Sequence, residues 1–112
     1  MSSEHNAADV NTLKSHLLEQ DPDLRDIVQE FIDGLEEQLR EFEQAYRRMD
    51  WEVLATLAHR LKGAGGSYGY PDISQVCAEM ERAFRAQQAD DFCAWLSRLG
   101  ELADAARKGL SD

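Results

Sequence analysis

The sequence predicts an all-α fold: an antiparallel four-helix bundle with a short additional N-terminal helix. Three observations carry this. Apolar residues recur at threes and fours along four segments. No stretch alternates with period two for long enough to make a strand. Capping and turn residues fall between the segments, leaving the short connections that neighbouring helices of a bundle need.

The elements follow in order. Asp9 or Asn11 opens a short helix containing Val10, Leu13, Leu17 and Leu18. Asp21-Pro22 reads as the next start, with Asp as N-cap and Pro at the first helical position. From 22 to 48 the stripe is Leu24, Ile27, Val28, Phe31, Leu35, Leu39, Phe42 and Tyr46. Asp50 caps the helix from 51 to about 67, with Trp51, Leu54, Leu57, Ala58 and Leu61. Pro71 starts another, with Asp72 in its first turn and Ile73, Val76, Cys77, Met80 and Phe84 along it. Asp90 caps the last, from 91 to 108, with Phe92, Trp95, Leu96, Leu99, Leu102 and Ala106. Residues 1–7 are expected to be a mobile N-terminus and 8–109 to form the bundle domain.

Composition bounds the function. The chain has 112 residues, room for one domain and a small core. Its 22 acidic and 12 basic residues give a net charge of −10, which disfavours binding to nucleic-acid phosphates. No apolar run approaches the roughly 20 residues of a membrane span, and Met1 to Val10 lacks a signal-peptide core. Cys77 and Cys93 lack metal or redox spacing. A reduced, cytoplasmic monomer is expected.

The chemistry concentrates between Ala58 and Gly69, where four of the 7 glycines lie. Gly63, Gly65 and Gly66 inside a helix cost on the order of 3 kcal/mol relative to alanine, so a use for them is expected. On a helical wheel, Leu54, Leu57, Leu61, Ala64 and Tyr68 make the buried stripe. His59 then falls about 160° from its centre. Its neighbours on that face are Ala55, Thr56, Lys62, Gly63 and Gly66. The imidazole thus projects from small residues, and another protein can approach closely. An ordinary imidazole is largely neutral at pH 7 and its free nitrogen is a nucleophile. Lys62 shares the face and can offset charge added to it. An isolated exposed histidine is often only a surface residue, and glycines near a helix end are often C-caps. These local features leave both readings open.

Other candidates are weaker. Gly63 to Gly69 is glycine-rich but lacks the G-x-x-x-x-G-K-[ST] pattern and a preceding strand, which argues against a nucleotide loop. No Glu-x-x-His pair occurs, which argues against a di-iron bundle. His16 reads as surface or helix packing, and Trp51, Trp95, Phe31 and Phe84 as core. Glu36, Glu37, Glu41 and Glu43 read as a solvated face partly paired with Arg40 and Arg47.

His59-Arg60-Leu61-Lys62-Gly63, with Tyr68-Gly69 following, resembles the signature of histidine-containing phosphotransfer (HPt) domains. The likeness extends from about Leu24 to Leu102 and includes the Asp50-Trp51-Glu52 approach to the motif. It implies that His59 accepts a phosphoryl group at Nε2, that Lys62 helps neutralise it, and that Gly63 leaves room for the partner. It also implies a role for Glu81. A glutamate at the matching place in the phosphotransfer domains of chemotaxis kinases bonds the histidine's other nitrogen, where many HPt domains have glutamine.

The expected function is therefore a phosphocarrier of a two-component phosphorelay, without a kinase or nucleotide site of its own. Its expected partners are response-regulator receiver domains and a hybrid sensor histidine kinase. They would dock through Ala55, Thr56, Gly63, Gly66 and Tyr68 or Tyr70. No cofactor is expected on this chain, Mg²⁺ belonging to the receiver. The alternatives are the N-terminal domain of a chemotaxis-type kinase and a helical adaptor that is never phosphorylated.

Overall fold

A computed structural model describes residues 12–111, and every described regular element is helical. The expected mobile segment 1–7 and the expected helix starts Asp9 and Asn11 lie outside the described residues. Helix α1 spans His16–Gln20, a 3-10 turn Pro22–Leu24, α2 Arg25–Asp33, α3 Leu35–Arg47, α4 Trp51–Ser67, α5 Pro71–Arg85 and α6 Phe92–Ser111.

Local chemistry explains most boundaries. Asp50 caps α4 by accepting from the Val53 amide at 3.2 Å, and Pro71 occupies the first turn of α5, both as expected. Asp21 accepts from the Asp23 amide at 3.2 Å, so the Asp-Pro start is real but opens a 3-10 turn. Helix α6 begins at Phe92, two positions past the expected cap at Asp90, and runs on to Ser111.

Two expectations are corrected. The first described helix starts at His16, after Ser15, whose Oγ accepts from the Leu18 amide at 3.2 Å. Leu13 stays outside it, because its amide donates to the Ala105 carbonyl on α6 at 2.9 Å instead of to a helical ladder. The single helix expected from 22 to 48 is divided at Gly34. There the amide is shared between the Glu30 and Phe31 carbonyls, at 3.1 and 3.2 Å. Glycine is the weak point of a helix interior, and a bend there is the ordinary outcome. Gly34 keeps near-helical angles (φ −83°, ψ −8°), so the apolar stripe stays on one side across the break. Val28, Phe31, Ile32, Leu35, Phe42 and Ala45 are all buried, whereas Ile27 is exposed.

The bent α2–α3 arm packs against α4 and α6, and α5 packs against both of those. Four rods thus close around one core. Aromatic rings fill its middle. Tyr46 stacks on Phe92 at 4.0 Å, and Phe84 meets Trp95 edge-on at 5.7 Å. The segment before α1 straps two helix ends together. Ser15 Oγ donates to the Tyr68 carbonyl at 2.6 Å and the His16 amide to the Gly69 carbonyl at 2.9 Å. Lys14 Nζ donates to the Gly109 carbonyl at 3.1 Å, and Arg25 to that of Leu110. Cations at the end of α6 also suit the helix dipole. Among the described residues no helix is long and apolar enough to cross a membrane.

Candidate functional site

Helices α4 and α5 share the most extensive contact in the bundle, because small residues line it. Ala55, Ala58 and Gly65 of α4 are buried. A Cβ added at Gly65 would lie 3.1 Å from Ile73 Cγ2 and from the Ser74 amide nitrogen of α5. The closeness brings Glu81 of α5 beside His59 of α4.

Glu81 is the centre of the cluster. Its Oε2 lies 3.1 Å from His59 Nδ1, and its Oε1 accepts from Lys62 Nζ at 2.8 Å. Arg85, one turn further along α5, donates to Oε2 through Nη2 at 2.6 Å and Nε at 3.1 Å. The Glu81 side chain is only 10% exposed, while that of His59 is 63% exposed. Lys62 first, then Arg85, hold the Glu81 carboxyl well below its ordinary value of 4.5, at about 2, against the opposing pull of burial. Glu81 is thus an anion at neutral pH and only accepts hydrogen bonds. His59 Nδ1 must therefore be the donor, which leaves the ring's lone pair on Nε2. Lys62 and Arg85 outnumber the one carboxylate they share, so the cluster is locally positive on an acidic protein.

The carboxylate is also a stabilising element with a pH signature. A depressed carboxyl stabilises the fold fully above its unfolded-state value, and the stability is lost as pH falls through the folded one. For Glu81 the window runs from 4.5 down to about 2. The expected size is roughly 2 kcal/mol, less than the full shift gives, because Lys62 and Arg85 reach partly into solvent. Denaturant unfolding of the wild type and Glu81→Gln across this window should show the gap between them closing toward pH 2. A gap that stays constant contradicts the pairing.

The other site candidates divide into two groups. Thr56, Gly63 and Gly66 lie exposed on the His59 side of α4, as expected. A Cβ at Gly63 would meet nothing within 4 Å, and one at Gly66 only Ser74 Oγ at 3.8 Å. Ala55, expected on the docking face, is instead buried, because α5 covers that flank of α4. Tyr68 is half-buried, its ring stacked 4.7 Å from that of Phe31. Tyr70 is fully buried with its hydroxyl unpartnered among the described residues, and burial pushes it up to about 12. The expected buried stripe is accordingly rotated, with Leu57 and Ala64 only half-buried.

Arg85 is a member of the cluster that the sequence reading does not include. The signal was present, since a glutamate followed four residues later by arginine is a pairing spacing on a helix. Cys77 is buried, its thiol pushed up to about 12, and takes no part in the cluster. No group of His, Cys, Asp and Glu suited to a metal ion occurs among the described residues.

Fold and cluster together define a helical module built around one exposed imidazole held by a buried carboxylate. The family model of the Hpt domain matches residues 26–109. The chain therefore belongs to the Hpt domain family, whose members are phosphocarrier modules, distinct from kinase catalytic domains. Membership implies histidine phosphotransfer in a two-component phosphorelay, and interaction with receiver domains of response regulators. Searches of curated proteins and of solved structures returned no match.

Proposed function

We propose that His59 is the phosphoacceptor and that the chain shuttles phosphoryl groups between receiver domains. The observation that carries this reading is the His59–Glu81 contact, which leaves an exposed imidazole with its lone pair on Nε2. Nε2 attacks the phosphorus of a receiver's aspartyl phosphate. The N–P bond forms as the bond from phosphorus to the aspartate oxygen breaks, and the carboxylate departs with the electron pair. The ring becomes cationic, still carrying its Nδ1 proton toward Glu81, whose anion stabilises it. Lys62 and Arg85 offset the charge of the incoming phosphoryl group. The reverse sequence delivers it to a second receiver.

The chain supplies no cofactor to this scheme. Mg²⁺ and the acidic residues that bind it belong to the receiver. A hybrid sensor kinase fits as the upstream donor, with a cytoplasmic monomer as the carrier. Glu81, a glutamate rather than a glutamine, also supports the second reading, a phosphotransfer domain of a chemotaxis-type kinase. The chemistry at His59 is the same in both.

The glycines support close docking. Packing explains Gly65, but Gly63 faces open space and a Cβ at Gly66 would meet only Ser74 Oγ, at 3.8 Å. Gly63→Leu is therefore expected to slow transfer roughly tenfold or more, by displacing the receiver, without lowering the unfolding midpoint. An unaltered transfer rate contradicts close approach on this face.

The test of the function is incubation with a phosphorylated receiver. Acid-labile, alkali-stable label should appear on this chain and then move to a second receiver. Stable binding to receivers with no label on the chain favours the adaptor instead.

A further inference from the structure

The three donors on Glu81 are not equivalent. Lys62 holds Oε1 through a single ammonium at 2.8 Å. Such a contact limits distance but leaves the carboxylate free to turn, because the terminal torsion of glutamate is soft. Arg85 brings two N–H groups onto Oε2, the oxygen that also faces His59 Nδ1. A planar guanidinium fixes direction as well as distance. Arg85 stands in the last turn of α5, and Glu81 is its one hydrogen-bond and ion-pair partner among the described residues. Its side chain is 63% exposed, so the core does not need it.

We propose that Arg85 is a positioning residue for phosphotransfer: it clamps Glu81 so that Oε2 faces His59 Nδ1, and thereby fixes the tautomer that leaves Nε2 nucleophilic. This rests on His59 being the phosphoacceptor. Without the clamp, the carboxylate turns toward Lys62 and the imidazole loses its orienting acceptor. Arg85 then acts wholly through Glu81, and its removal has little left to do once Glu81 is neutralised.

The experiment compares the wild type, Arg85→Met, Arg85→Lys, Glu81→Gln and the Arg85→Met/Glu81→Gln double variant. The donor is phosphoramidate, whose ammonia leaves as Nε2 takes the phosphoryl group, so no receiver contact enters. Arg85→Met is expected to lower the rate about tenfold, as removal of an orienting partner commonly does. Arg85→Lys should recover part of it. In the Glu81→Gln background the same change should cost less than about twofold. An undiminished rate, or an equal loss in both backgrounds, overturns the proposal. The ¹⁵N shifts of the unphosphorylated ring give a second readout, free of transfer. The share of Nδ1–H tautomer should fall in Arg85→Met, and an unchanged share overturns the clamp. Label on a His59→Gln chain would instead defeat the phosphoacceptor assignment, while the tautomer measurement still judges Arg85.

Discussion

Replacing His59 with glutamine is expected to abolish phosphoryl uptake while leaving the bundle folded. The side chain is 63% exposed, and Glu81 is its hydrogen-bond partner. Glu81 keeps Lys62 and Arg85 in the variant, so its negative charge is not stranded. A glutamine amide can still donate to the carboxylate, but it offers no lone pair able to attack phosphorus. The expected loss is complete within detection, a larger effect than that of any supporting residue. Transfer from a labelled receiver, read beside a denaturation curve of the same variant, separates lost chemistry from lost fold. His16 is exposed elsewhere on the bundle and remains in the variant, so it serves as an internal control.

Gly69→Ala is expected to be strongly damaging to stability. Gly69 has φ +86°, a conformation an L side chain adopts only with strain of about 1–2 kcal/mol. An added Cβ would also fall 2.4 Å from the Leu17 amide nitrogen and 2.7 Å from that of His16. The strap before α1 would have to lift. That endangers the Ser15 bond to the Tyr68 carbonyl and the His16 bond to Gly69 itself. Strain and lost bonds together suggest roughly 3 kcal/mol, measurable by urea unfolding. Gly63→Ala is the control: its Cβ meets open space in a helix interior, and a gain of about 0.5–1 kcal/mol is expected. A Gly69→Ala protein as stable as the wild type would contradict the role assigned to the strap. The last glycine of the phosphotransfer signature thus serves the fold in this chain.

The bundle was legible because period and punctuation agree. Asp50 and Pro71 mark helix starts by their own side-chain chemistry, and the structure places them there. What escaped depends on partners distant in the chain. The start of α1 is set by Ser15 and by the Leu13 bond to Ala105, across the bundle. Ala55 is buried rather than on the docking face because a wheel with one buried centre suits a helix with one neighbour, whereas α4 has packing on two sides. Small residues also carry an ambiguous signal. Gly65 admits α5, while Gly63 faces outward, and only packing distinguishes them. His59 and Lys62, which share a helix face in the sequence, lie together with Glu81, the residue that the family resemblance implies. Lys62, expected to offset charge added at His59, is also paired to Glu81, which it shares with Arg85.

The most direct measurement is ³¹P and ¹⁵N NMR of the phosphorylated protein, which locates the phosphoryl group atom by atom. The geometry predicts a phosphoramidate on Nε2 of His59, with the proton retained on Nδ1 toward Glu81. Phosphate on Nδ1, on His16, or on no histidine at all would contradict it.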